Sequence, residues 1–200
     1  MAQHRRLTST FLATMPALAL IVTATLGGAH SAAADEKTKT AQEALAKLGY
    51  DPGVIDGAWG ASSRKALNEF QKALGFKTTK GLNAGLRDAL NLAAAGAEKT
   101  EAPRGDKIGK TLIGTDGWRV YYNPNGEKKL KTRDGKTLIK KWRKKTDGTF
   151  CEYTFSVKKN LCGTEIGKGT VTLKSGVNWT MFKASGKKMF TFEMVDGNQL

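Results

Sequence analysis

Two hydrophobic periods divide the chain. From Ala41 apolar residues recur at helical spacing through Leu45 and Leu48, and Gly49 stops the run. A second helical face runs through Ala66, Phe70, Ala73 and Leu74 and ends at Gly75. A third follows Asn83, a side chain suited to cap a helix N-terminus, with Leu86, Ala89, Leu90 and Ala93 on one side. No such short helix is stable alone in water. They are expected to pack as a three-helix bundle with Leu45, Leu48, Ile55, Phe70, Leu74, Leu86 and Leu90 as its core.

From Thr111 onward the period is two. WRVYYN, LKT, TLIKKWRK, TFCEYTF, GTVTLK, VNWTMFK and KMFTFEMV read as short strands, punctuated by Asn125-Gly126, Asp134-Gly135, Asp147-Gly148, Ser175-Gly176 and Ser185-Gly186. The pattern predicts an antiparallel meander of about eight strands, and closure into a small barrel would remove its edges. Trp118, Tyr122, Leu138, Trp142, Phe150, Tyr153, Phe155, Trp179, Phe182, Phe190 and Phe192 supply its core, more than one sheet face can hold. The fold class is α+β by separate domains, residues 35–92 helical and 107–200 β. The small, polar stretch 93–106, with Pro103 and Gly105, reads as a linker.

Residues 1–34 read as an export signal: His4, Arg5 and Arg6 precede an apolar run from Phe11 to Leu26, and Ala32-Ala33-Ala34 provides a cleavage pattern. That run is short for a spanning helix, so no transmembrane segment is expected in the mature chain, which belongs in the periplasm or outside the cell. Both histidines of the chain, His4 and His30, fall in this leader. A mature chain without imidazole excludes Ser-His-Asp and Cys-His catalysis and every zinc site with a His ligand. No catalytic residue, cofactor or metal is expected. The two cysteines, Cys151 and Cys162, form an even set bound for an oxidising compartment and are expected to pair. The bridge would close a loop of about 12 residues and contribute on the order of 3 kcal/mol.

The loop from Gly49 to Gly60 (GYDPGVIDGAWG), followed by Ser63, Ala66, Phe70 and Gln71, resembles the bacterial peptidoglycan-binding domain of the three-helix type over residues 38–92. Its signature runs leucine, glycine-tyrosine, aspartate-glycine, aromatic-glycine, a hydroxyl residue and phenylalanine-glutamine. Helix 3 departs from it, with Gly85-Leu86 where a small hydroxyl residue is usual. The resemblance implies peptidoglycan as ligand and points to Tyr50, Asp56, Trp59 and Gln71 as contacts. An indole or phenol can cover the C–H face of a saccharide ring. Gly117-Trp118, Tyr121-Tyr122 and Pro124-x-Gly126, with the later cysteines, give the C-terminal half a likeness to an uncharacterised family of small exported proteobacterial β-domains.

Charge is divided unevenly. Residues 35–106 carry 11 basic against 10 acidic side chains, and residues 107–200 carry 20 against 8. Lys140, Lys141, Arg143, Lys144 and Lys145 flank Trp142 and are expected to form a patch for anionic lipid or lipopolysaccharide. Nucleic acid is a poor partner for an exported chain. The reading is a non-catalytic, cell-wall-binding protein. Its alternative is a cell-wall hydrolase using a carboxylate pair drawn from Glu127, Glu152, Glu165 and Glu193.

Overall fold

A computed structural model describes residues 35–103, 105–155 and 157–200. The export signal expected over residues 1–34 lies outside the described residues. Three helices come first: α1 (Glu36–Lys47), α2 (Ala61–Leu74) and α3 (Ala84–Ala94). Each has the terminus its sequence dictates. Asp35 caps α1 by accepting from the Lys37 amide at 3.1 Å, and Asn83 caps α3 by accepting from the Leu86 amide at 2.9 Å. Gly75 ends α2 at φ 84°, a left-handed conformation that a side chain would oppose. Leu45, Phe70, Leu86 and Leu90 are buried as expected, and Leu67 and Phe76 join them. Ile55 is instead 38% exposed, because the 51–59 loop is tied down by polar bonds and turns this side chain outward. Among the described residues no helix is long and apolar enough to cross a membrane.

Ten strands follow: β1 (Glu98–Thr100), β2 (Lys110–Gly114), β3 (Arg119–Tyr122), β4 (Glu127–Lys131), β5 (Thr137–Lys144), β6 (Phe150–Thr154), β7 (Lys159–Cys162), β8 (Thr170–Ser175), β9 (Asn178–Lys183) and β10 (Lys188–Asp196). They form one antiparallel sheet in the order β1-β8-β9-β10-β2-β3-β4-β5-β6-β7. The expected barrel is not closed, since β1 and β7 remain edges. Curvature is concentrated at β5, which pairs with β4 up to Lys141 and with β6 from Trp142. This bend swings β6 back over β3, so that the Tyr122 and Phe150 rings lie 6.4 Å apart although three strand spacings of about 4.8 Å separate their strands. Ile108 and Ile166, from connecting segments, fill the interior that a closing strand pair would otherwise seal. Three strands fall in none of the runs read from the sequence, β1, β2 and β7, and of these β1 and β7 are too polar to alternate visibly. Cys151 and Cys162 face each other across β6 and β7 and are joined by a disulfide.

Register assigns the faces, since directly opposed residues share one. The inner face carries Leu112, Val120, Tyr122, Phe150, Glu152, Trp179 and Phe192. The outer face carries Val171, Leu173 and Phe182 at the β8–β9 end, and the helices pack on these three. Leu138, expected in the core, is 44% exposed near the bend.

The helical and β parts are thus not tethered beads. The described residues belong to a single compact unit, and the stretch expected to be a linker supplies β1, hydrogen-bonded to β8. The Lys77 amide donates to the Ala184 carbonyl at 2.7 Å, Asn83 Nδ2 donates to the Ser185 carbonyl at 3.2 Å, and Lys188 pairs with Asp88 at 3.4 Å. Phe76 meets Phe182 edge-on at 5.8 Å. Gly85 allows the close approach: a Cβ there would lie 2.0 Å from the Gly186 carbonyl oxygen.

Candidate functional site

The loop carrying the motif is organised from below by a residue the sequence reading passed over. Gln42, fully buried on α1, donates through Nε2 to the Val54 carbonyl at 3.1 Å, the Ala58 carbonyl at 3.0 Å and Ser63 Oγ at 3.0 Å. Its Oε1 accepts from the Gly57 amide at 2.9 Å, and Ser63 Oγ donates to the Pro52 carbonyl at 2.9 Å. One amide on an amphipathic helix gives no sign in sequence of being such a hub. Replacing Gln42 with Ala orphans the buried Gly57 amide and should cost about 2 kcal/mol. Urea unfolding, with hydrogen exchange at Gly57 as the local readout, tests this; unchanged protection there would refute the hub.

Against this frame the four expected contact residues separate. Asp56 is exposed and accepts from the Ala58 amide at 2.8 Å, closing a local turn. Tyr50 is half-buried and meets Phe70 edge-on at 6.0 Å. Trp59 is also half-buried against the helical core, and its Nε1 has no hydrogen-bond partner. Gln71 faces inward: fully buried, it donates through Nε2 to the Lys77 carbonyl at 2.8 Å and Thr79 Oγ1 at 3.2 Å, and accepts from the Thr79 amide at 3.4 Å. Its side chain has no surface to present to a ligand, which moves Gln71 from the expected contact set to the support of the loop.

Gln71 instead builds a wall. The segment it holds, Thr78–Lys80, faces α2 across an open groove of about 930 Å³ lined by Ala61, Arg64, Lys65, Asn68, Glu69 and Lys72. Arg64 Nη1, from this lining, donates to the Trp59 carbonyl at 3.3 Å, and Trp59 directly precedes the N-terminal end of α2. Asn68 Oδ1 is buried in the α2 wall without a partner. These groove residues recur every three to four positions along α2, and in sequence such a polar stripe reads as a solvated helix face.

A second polar cluster lies inside the curled sheet. Lys107 and Lys128 each place Nζ 2.6 Å from Glu152, on Oε1 and Oε2 respectively, and Tyr122 donates to Oε2 at 2.6 Å. The carboxylate and both ammonium groups are almost fully buried. Burial works to raise the Glu152 pKa, but the two cations outweigh it and hold the carboxyl at about 2. Burial pushes Lys128 down to about 8, with Lys107 adding to the fall and Glu152 opposing it. Burial, then the charge of Glu152, raises the Tyr122 phenol well above its ordinary value.

Of the carboxylates considered for hydrolysis, Glu193 lies on β10 opposite Ile113. Glu127 opposes Lys141, whereas Glu152 opposes the next residue, Trp142, so the two lie on opposite sheet faces and cannot flank one bond. A carboxyl held at about 2 stays ionised at neutral pH and has no proton to donate. Glu165 accepts from the Cys162 amide at 3.2 Å. Among the described residues no group of three or more His, Cys, Asp or Glu side chains is placed to hold a metal.

The basic run is split by the pleat. Lys140, Lys141, Arg143, Lys144 and Lys145 are all exposed, but Lys141 and Arg143 take one face of β5, and Lys140 and Lys144 take the other.

Residues 34–90 match the family model described as a peptidoglycan binding domain. The match covers α1, α2, the motif loop, the groove and α3 as far as Leu90; the likeness drawn for the C-terminal half rests on its sequence alone. No curated protein and no solved structure matches the chain.

Proposed function

We propose that this protein is an exported, non-catalytic cell-wall protein that holds peptidoglycan in the groove along α2. The observation that carries this reading is that the groove lies wholly within the segment matching the peptidoglycan-binding family. Its chemistry suits the ligand. Arg64, Lys65, Lys72 and Lys80 outnumber Glu69 and attract stem-peptide carboxylates. Thr78, Thr79 and the Asn68 amide line the groove and offer hydrogen bonds to sugar hydroxyls and amides. Trp59 covers the C–H face of a ring at the α2 N-terminal end. The β-domain, with its excess of basic residues, contacts anionic envelope components.

Sedimentation of the full chain with purified sacculi tests this. Asn68→Leu and the pair Arg64→Glu, Lys72→Glu should each weaken binding at least about 10-fold, the scale of one or two lost hydrogen bonds or ion pairs. Trp59→Ala should weaken it less, and helical circular dichroism should be retained in all. Groove variants that sediment like the parent would move the site elsewhere, and soluble muropeptides released by the parent would make the protein a hydrolase.

A further inference from the structure

The pleat that divides the basic run also gathers it with charges from other strands. Register places Arg119 opposite Lys131, Lys129 opposite Ile139, and Glu127 opposite Lys141 on the outer face of β3, β4 and β5, with Arg143 one step further along β5. Five cations thus share a face with one carboxylate, Glu127, whose nearest cation is Lys129 at 3.8 Å. Lys131, Lys141 and Arg143 make no ion pair among the described residues, and Arg119 donates only to the Gln199 carbonyl at 2.7 Å. In the adjoining turns Asp116 is already matched by Arg133 at 2.7 Å and Asp134 by Lys136 at 2.9 Å; Glu193 shares the outer face but lies on β10, two strands from Arg119. Opposed like charges such as Arg119 and Lys131 destabilise a sheet, so the face carries a cost that an external anion would relieve.

Two uncharged side chains decide which anion. Ile139, 54% exposed, stands among these cations, and the half-buried Tyr121 sits opposite Lys129. A soluble polyanion gains nothing from an exposed isoleucine. A bilayer surface does, because apolar and amphipathic side chains enter the boundary between headgroups and acyl chains while basic ones meet the phosphates.

We infer that the outer face of β3, β4 and β5 docks onto a bilayer of anionic phospholipid, with Lys131, Lys141 and Arg143 on the phosphates and Ile139 entering the headgroup boundary. This rests on the reading that the β-domain contacts anionic envelope components, and names the face and the partner.

The test compares charge-matched triple variants of the full chain by sedimentation with vesicles of 30% phosphatidylglycerol in phosphatidylcholine. Changing Lys131, Lys141 and Arg143 to Gln should lower partitioning about 100-fold, as expected for three cations each contributing near a membrane surface. Changing Lys140, Lys144 and Lys145 to Gln removes the same charge and should lower it less than about 3-fold. Ile139→Ser should weaken vesicle binding about 5-fold and leave binding to heparin, a soluble polyanion, unchanged. Equal losses from the two triples would mean that diffuse charge acts and would overturn the docking face. An Ile139→Ser protein that binds vesicles like the parent would overturn the bilayer as occupant. Unchanged melting curves certify folding, and Asn68→Leu, altered only in the α2 groove, should bind vesicles normally, so failure here is distinguishable from failure of the peptidoglycan reading.

Discussion

Glu152→Ala should destabilise the protein by about 3–5 kcal/mol, because it leaves the Lys107 and Lys128 ammonium groups buried without their shared counter-ion. Urea unfolding measures this; a loss below about 1 kcal/mol would mean that the cluster is solvated and its burial irrelevant. The same cluster sets a pH dependence with a definite sign. Glu152 is held at about 2 against an ordinary 4.5, so its contribution is complete above about pH 5 and is lost as pH falls toward 2. The shift corresponds to about 3 kcal/mol. Lys128 acts in the alkaline range: between about 8 and 10.5 the unfolded chain holds a proton that the folded chain has released, so stability from this group rises with pH. Tyr122 reverses the trend above about pH 10, where the unfolded phenol ionises before the folded one. The difference in stability between the parent and Glu152→Gln should shrink from pH 5 to pH 2. A flat difference across that window would contradict the assignment.

Gly85→Leu should separate the helical and β parts. Its Cβ would lie 2.0 Å from the Gly186 carbonyl oxygen and 2.6 Å from the Lys188 amide nitrogen, both backbone atoms, so the β9–β10 hairpin must move away from α3. Gly186 meets the same seam from the other side: at φ 83° its own Cβ would lie 2.5 Å from Leu86 Cγ. A cost of about 3 kcal/mol is expected from overpacking a close contact, with Gly85→Ala milder. Calorimetry should resolve the single transition of the parent into two, and Gly186→Ala should cost less in Gly85→Leu than in the parent, because only the strain of a side chain at φ 83°, about 1 kcal/mol, remains once the contact is lost. A single transition at the parent's midpoint in Gly85→Leu would refute the Gly85–Gly186 seam as the contact that couples the two parts.

Gly85 also shows where sequence and structure part company. As a departure from the family motif it reads in sequence as a weakened groove beside α3, whereas in the fold it is the point at which the β-domain meets the bundle. The three helices and the disulfide partners were legible because local rules decide them: a 3.6-residue apolar period, Asn83 and Gly75 as caps, and an even pair of cysteines behind a leader that reads as an export signal. The β meander was equally legible from alternation and its Asn-Gly and Asp-Gly turns. Closure was not, because the bend at Lys141 and Trp142 depends on which neighbour each half of β5 finds.

The candidate site divides in the same way. The motif loop is local, and its turns follow from Gly53, Gly57 and Asp56. Gln42 and Gln71 act over 12 to 21 and 6 to 8 residues respectively, and a buried amide looks like a surface one until its partners are placed. Charge excess could be counted from sequence, but not its geometry. Five consecutive-looking cations become two opposed faces because a strand alternates, and the outer face gains Arg119, Lys129 and Lys131 only through the register of β3, β4 and β5. The sequence by itself determined the elements, the bridge and the sign of the charge, all of which depend on near neighbours. Which side chains meet, which face gathers the cations and whether two domains become one were decided only by tertiary contacts, whose energies no local pattern encodes.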